Sequence, residues 1–272
     1  MTNNTVNKKG AQIIVVTSGK GGVGKTTTTA SLGAALALKG QRTLVVDADI
    51  GLRNLDVIMG LENRIVFNLV DVAKNVCKPS QAIIKSKKSN NLFLLPASQT
   101  DDKDVVTEQE VKDVLEQFRR EFHFILVDSP AGIEQGFKNA CAAADTALIV
   151  TTPEVSAIRD ADRVVGLLAA RNIEPRLILN RIDANMVRRG DMLSVADVQD
   201  ILGIEMIGVI ERDEEVIVAA NTGEPVSYNP ESKAGQAFQR IAGRLCGEKI
   251  DFPQIGNDSL WRSLGRKLGL ST

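Results

Sequence analysis

The sequence predicts an α/β fold, a mostly parallel sheet with helices on both faces, and three observations carry that expectation. Near-continuous apolar, β-branched runs recur with helix-forming segments between them. A glycine-rich turn joins the first apolar run to the first helical one, and acidic or polar residues follow several of the runs, where ligands bind in such sheets.

The expected strands are 13–17, 43–46, 92–95, 124–127, 147–151, 177–179 and 206–210. Helices are expected over 26–39, closed by Gly40, and over 68–76, 108–120, 156–170, 214–221 and 232–245. No repeat, low-complexity tract or linker interrupts them before about residue 248. The expected organisation is a flexible tail over 1–10, one α/β domain over 11–247, a linker over 248–258 containing Pro253 and Gly256, and an amphipathic helix over 259–272.

With 272 residues, 43% of them hydrophobic, there is ample material for a core. A net charge of −1 gives no global field for nucleic acid, and no specific nucleic-acid partner is expected. Cys77, Cys141 and Cys246 show no C-x-x-C spacing and are odd in number, which fits buried thiols in a reducing cytosol and offers no recognisable iron–sulfur ligand set. The polar first eleven residues lack the apolar core of a signal peptide, and no stretch is long and apolar enough to span a bilayer.

Chemistry concentrates at the first turn. Gly19, four residues, then Gly24, Lys25 and Thr26 match the phosphate-loop pattern, between an apolar run and a helix. Such a turn points several backbone N–H groups into one concavity at the positive end of a helix dipole. The candidate nucleotide-binding residues are Gly19, Lys20, Gly21, Gly22, Val23, Gly24, Lys25, Thr26 and Thr27. Lys25 would serve the β- and γ-phosphates, and the Thr26 hydroxyl would be a Mg²⁺ ligand. Lys20 is a lysine that an ordinary phosphate loop does not require; by itself it reads equally as a solvated loop charge.

After the second run stand Asp47 and Asp49. They are helix caps or exposed loop charges on one reading. Beside a phosphate loop, Asp49 would orient the attacking water and Asp47 would support the Mg²⁺ shell. Asp128 ends the 124–127 run as the carboxylate that holds Mg²⁺ through water, or alternatively caps the next helix. Gly132 supplies an N–H that can sense the γ-phosphate, which makes 129–136 a switch loop. Asn180, with Arg181, closes the 177–179 run and can offer an adenine edge both a donor and an acceptor. The lone histidine, His123, is given no role.

The last fourteen residues carry their own pattern. At about 100° per residue, Leu260, Trp261, Leu264 and Leu268 fall within an arc of roughly 100°, with Arg262 and Arg266 opposite and Lys267 at the flank. This suits an anionic membrane surface, the other reading being a helix docked on the protein's own body.

Gly-Lys-Gly-Gly-Val-Gly-Lys-Thr-Thr over 19–27 resembles the deviant Walker A motif of the MinD/ParA ATPase family. The stretches 49–56, 128–134 and 153–160 resemble its septum-site-determining branch. The resemblance implies a P-loop NTPase using ATP and Mg²⁺, with Lys20, Lys25 and Asp49 as catalytic residues. It implies an ATP-dependent homodimer in which Lys20 reaches the other subunit's phosphates. It further implies a cytoplasmic protein, peripheral on the inner face of the cell membrane, with a MinC-like division inhibitor and a MinE-like activator or other topological factor as partners. Asp160 and Asp162, on the exposed side of their predicted helix, become partner contacts by the same resemblance and are otherwise ordinary surface charges. Asp213 fits the family's adenine pocket, although Glu211 and Arg212 stand where relatives carry Pro and Glu. The competing functions are a ParA-type partition ATPase, which requires a basic stripe, and a flagellar-number regulator related to MinD.

Overall fold

The computed structural model describes residues 10–253 and 255. The membrane candidates Leu260, Trp261, Arg262, Leu264, Arg266, Lys267 and Leu268 lie outside the described residues, as do most of the expected N-terminal tail and the far part of the expected linker.

Eight strands form one sheet among the described residues: β1 (Gln12–Thr17), β2 (Thr43–Asp47), β3 (Ile84–Lys85), β4 (Leu92–Leu95), β5 (Phe124–Asp128), β6 (Thr146–Thr151), β7 (Glu174–Ile182) and β8 (Glu205–Glu211). Their order is β3-β4-β2-β5-β1-β6-β7-β8, parallel throughout except for β3 against β4. β3 was not expected: two residues in a lysine-rich stretch carry too little pattern, and a short, charged edge strand is how a sheet blunts its open side.

Alternation decides which face each strand residue serves. Ile13 and Val15 join one buried cluster, Ile14 and Val16 the other. The helices α1 (Lys25–Leu38), α2 (Leu55–Ile58) and α11 (Lys233–Leu245) contribute to the second cluster. On the first face lie α3 (Leu69–Ala73), α5 (Glu108–Phe118), α6 (Gln135–Ala140), α7 (Val155–Ala170) and α9 (Val195–Leu202). The short α4 (Pro79–Ala82), α8 (Ala184–Arg189) and α10 (Glu215–Thr222) complete the set.

Residues 28–37 of α1 are buried all round, between the sheet and α11. Small residues allow that closeness: a Cβ on Gly33 would stand 2.5 Å from Val45 Cγ1. Predicted ends shift by a few residues where caps decide them. Asn68 and Ser232 accept hydrogen bonds at the N-termini of α3 and α11 and so lie just outside the helices.

The start of the expected linker is pinned. Arg244, in the last turn of α11, donates to the carbonyls of Ile207, Ile250 and Asp251 at 2.8, 2.9 and 2.9 Å, and its guanidinium lies 3.9 Å from the Phe252 ring centre.

Candidate functional site

The phosphate loop runs from the end of β1 to the start of α1, turning through Gly22 (φ 78°) and Gly24 (φ 103°), conformations that L side chains rarely adopt. Lys25 is buried. Its ammonium donates to Ser18 Oγ at 3.0 Å, and Ser18 donates in turn to the Lys20 carbonyl at 2.7 Å. Burial pulls the Lys25 ammonium below its ordinary pKa, while Asp128 and Asp49 oppose that shift.

β2 and β5 are neighbours in register, so Asp47 and Asp128 end side by side. Both are buried, and burial first and mutual repulsion second push the Asp128 carboxyl well above the usual range; burial does the same to Asp47. The Thr29 hydroxyl donates to Asp128 Oδ1 at 3.2 Å, and the Thr26 side chain works with it against the upward shift. Asp47 is heavily used by the chain: its Oδ1 accepts from Asp49 N at 3.0 Å, and its Oδ2 from Asn54 N and Leu55 N at 3.2 and 3.1 Å. It therefore orders the loop carrying Asp49 and starts α2.

Asp49 is partly buried, with Oδ1 unpartnered. Its carboxyl is raised by burial, against the opposing charges of Lys103 and Lys25. Lys103 escaped the sequence reading because its loop, after β4, meets the Asp49 loop only through the fold; Gly51 N donates to Ser98 O at 2.9 Å. Gly132 sits at φ 92° with open space around it, in the turn between β5 and α6.

Lys20 faces the N-terminus of α7, 3.3 Å from Ser156 Oγ and 3.8 Å from Glu154 Oε2. Gly19 packs there too: a Cβ would stand 2.2 Å from the Asp160 carbonyl carbon. Expected to be exposed, Asp160 is in fact half-buried by this contact; Asp162 is exposed.

A cleft of about 1170 Å³ opens beside the loop, lined in part by Gly24, Thr27, Asn180, Arg181, Asp213 and Phe238. It can take a nucleoside. Two side chains expected at the base already serve the protein. Asn180 Nδ2 donates to the Val23 carbonyl at 2.8 Å and Oδ1 accepts from Arg181 N at 2.9 Å. Asp213 accepts from Ser232 Oγ at 2.7 Å and from Ala234 N at 3.0 Å, at the start of α11. Arg181 holds φ 58° in the β7 bulge. His123 Nδ1 accepts from Arg42 N at 3.1 Å, away from this constellation.

A buried lysine, two strand-end carboxylates and a glycine cradle thus converge beside one cleft. The sequence matches the CobQ/CobB/MinD/ParA nucleotide-binding domain over residues 14–226. It is 50% identical over 242 residues to the septum site-determining protein MinD of Bacillus subtilis, covering 88% of this chain and 90% of that protein. Its fold superposes on the MinC:MinD cell division protein complex of Aquifex aeolicus with a TM-score of 0.85 at 47% identity, covering 90% of this chain and 100% of that one. A Mg-ADP complex of the septum site-determining protein MinD from Pyrococcus horikoshii follows, with a TM-score of 0.79 at 31% identity, covering 86% and 96%.

Proposed function

The chain belongs to the CobQ/CobB/MinD/ParA nucleotide-binding family and, within it, to the septum site-determining MinD proteins, and on that premise we propose an ATP-driven membrane cycle. ATP closes two copies into a homodimer; the dimer holds the inner membrane face through residues 259–272 and recruits a MinC-like division inhibitor. Hydrolysis, stimulated by a MinE-like activator or another topological factor, releases it.

One observation carries the chemistry: the buried Lys25 follows a glycine turn whose N–H groups suit phosphate oxygens, and the strand that feeds this turn pairs in register with β5, Val16 opposite Asp128 and Asp128 opposite Asp47. The cradle and Lys25 hold the phosphates and neutralise charge that develops on the departing diphosphate. Asp49, with one oxygen unpartnered, orients the water.

The donor set fits Mg²⁺: two buried carboxylates beside a threonine hydroxyl favour a proton over a bare charge, and a cation removes that preference. Thr26 and Asp128 would hold the ion, with Asp47 supporting its waters. Bound there, Mg²⁺ supplies charge neutralisation on the phosphate oxygens. Gly132 N–H senses the γ-phosphate, Lys20 crosses to the second subunit's phosphates, and Asp160 and Asp162 lie on the helix that meets the partner.

No helix among the described residues is long and apolar enough to cross a membrane. Membrane attachment instead rests on the tail. Three leucines and a tryptophan on a segment that must order as it binds leave each copy only a small net gain. One copy therefore holds weakly, and two on one dimer bind as a pair.

The test is co-sedimentation with phosphatidylglycerol-containing vesicles in ATP or ADP, with the full chain and with a chain ending at residue 258. ATP-dependent pelleting of the full chain alone supports the cycle. Equal pelleting in both nucleotides overturns it, as does ATP-dependent binding to DNA with none to vesicles.

A further inference from the structure

The bulge near the end of β7 does more than shape a base pocket. Pairing with β8 slips between Leu179 and Ile182, and Arg181 takes up φ 58°, a left-handed conformation that L side chains rarely adopt. Its consequence is local. Asn180, buried, turns its amide across to the phosphate loop, where Nδ2 meets the Val23 carbonyl at 2.8 Å, while Oδ1 is steadied by Arg181 N at 2.9 Å. The contact is close enough that a Cβ on Gly24 would stand 2.5 Å from Nδ2.

Val23 is the residue before the glycine that turns the loop into α1. Its carbonyl belongs to the Val23–Gly24 peptide unit, so a fixed carbonyl fixes the Gly24 N–H, one of the cradle's donors. Asn180 also lines the cleft, with a second amide hydrogen and a remaining lone pair on its oxygen.

We propose that Asn180 is a positioning residue for the phosphate loop: its amide braces the Val23–Gly24 peptide from β7, and the same group couples the base side of the cleft to the phosphate side. The proposal takes from the proposed function only that phosphates bind in this loop. It differs from base reading in a testable way. A group that only reads a base matters to one base; a brace matters to every nucleotide and to the empty protein.

The variants are Asn180→Leu, near in size and without polar atoms, and Asn180→Ala. Hydrogen exchange of the full-length, nucleotide-free protein should accelerate severalfold over residues 23–27 and stay unchanged over β4 and α5, with the melting temperature within a few degrees of the parent. KM for MgATP, MgGTP and MgCTP should rise by a common factor of about ten, the scale of one buried hydrogen bond, with kcat at saturation within about twofold. Unchanged exchange over 23–27 overturns the proposal whether or not the protein is an ATPase. So does a loss confined to ATP, which would leave Asn180 a base reader alone. Failure of the proposed function would appear separately, as no nucleotide turnover by the parent while the exchange result stands.

Discussion

The Lys20 ammonium lies 3.3 Å from Ser156 Oγ and 3.8 Å from Glu154 Oε2, so the extra lysine of the phosphate loop is engaged within its own chain. Both partners of this ion pair are exposed, and such pairs contribute only about 0–1 kcal/mol. That is a weak tether. It leaves the side chain free to move to the phosphates that the proposed dimer would present.

Lys20→Ala should accordingly fold as the parent does, with a melting temperature within about 2 °C. It should bind ATP as a monomer and fail to dimerise, as read by sedimentation velocity with ATP and Mg²⁺. Parental dimerisation of this variant would contradict the reach of Lys20 across the interface.

The paired carboxylates predict an unusual pH dependence. Burial above all holds the Asp128 and Asp47 carboxyls above the usual carboxylate range in the folded state, so between the unfolded and folded values the native state binds more protons than the unfolded one. The stability they confer is complete below the unfolded value and is lost as pH rises through the folded values. Nucleotide-free protein in EDTA should therefore melt lower at pH 8 than at pH 6, and Mg²⁺ with nucleotide should reverse the trend. Asp128→Asn should flatten the dependence and raise the pH 8 melting temperature by several degrees, while weakening Mg²⁺-dependent nucleotide binding at least tenfold.

What the sequence made legible divides by distance along the chain. The phosphate loop is ten contiguous residues with a strand before and a helix after, and Asp47 and Asp128 announce themselves by ending apolar runs. Those signals are local. The contacts from Asn180 to Val23 and from Lys20 to Ser156 join residues 157 and 136 positions apart, and no periodicity encodes them. Asn180 and Asp213 were placed at the right end of the sheet, yet their polar atoms are largely taken up by backbone groups, because a bulge and a helix N-terminus each need a partner. β3 was missed because two residues have no period.

Gly19 and Gly21 separate two uses of glycine in one loop. A Cβ on Gly19 would meet the Asp160 backbone at 2.2 Å, whereas on Gly21 it would meet only the Ala131 methyl at 3.8 Å. Gly19→Ala must push the loop and α7 apart, and should cost about 1–3 kcal/mol in urea unfolding of the nucleotide-free protein. Gly21→Ala should stay within about 0.5 kcal/mol. Equal losses would mean that backbone freedom, and not the packing of Gly19 on α7, governs the loop.

Arg244 fixes the course of the chain just beyond α11. Its guanidinium joins β8, through Ile207, to the chain beyond α11, through Ile250 and Asp251, and Phe252 lies against its plane. Three carbonyls on a planar, five-donor head is a geometry that a lysine cannot reproduce. Arg244→Lys and Arg244→Ala should both lose about 2 kcal/mol of stability, with faster hydrogen exchange over 247–253 and no change over the phosphate loop. If the clamp also sets the approach of residues 259–272 to lipid, both variants should keep ATP-dependent dimerisation in solution and pellet less with anionic vesicles. Parental vesicle binding alongside accelerated exchange would confine Arg244 to holding the end of α11.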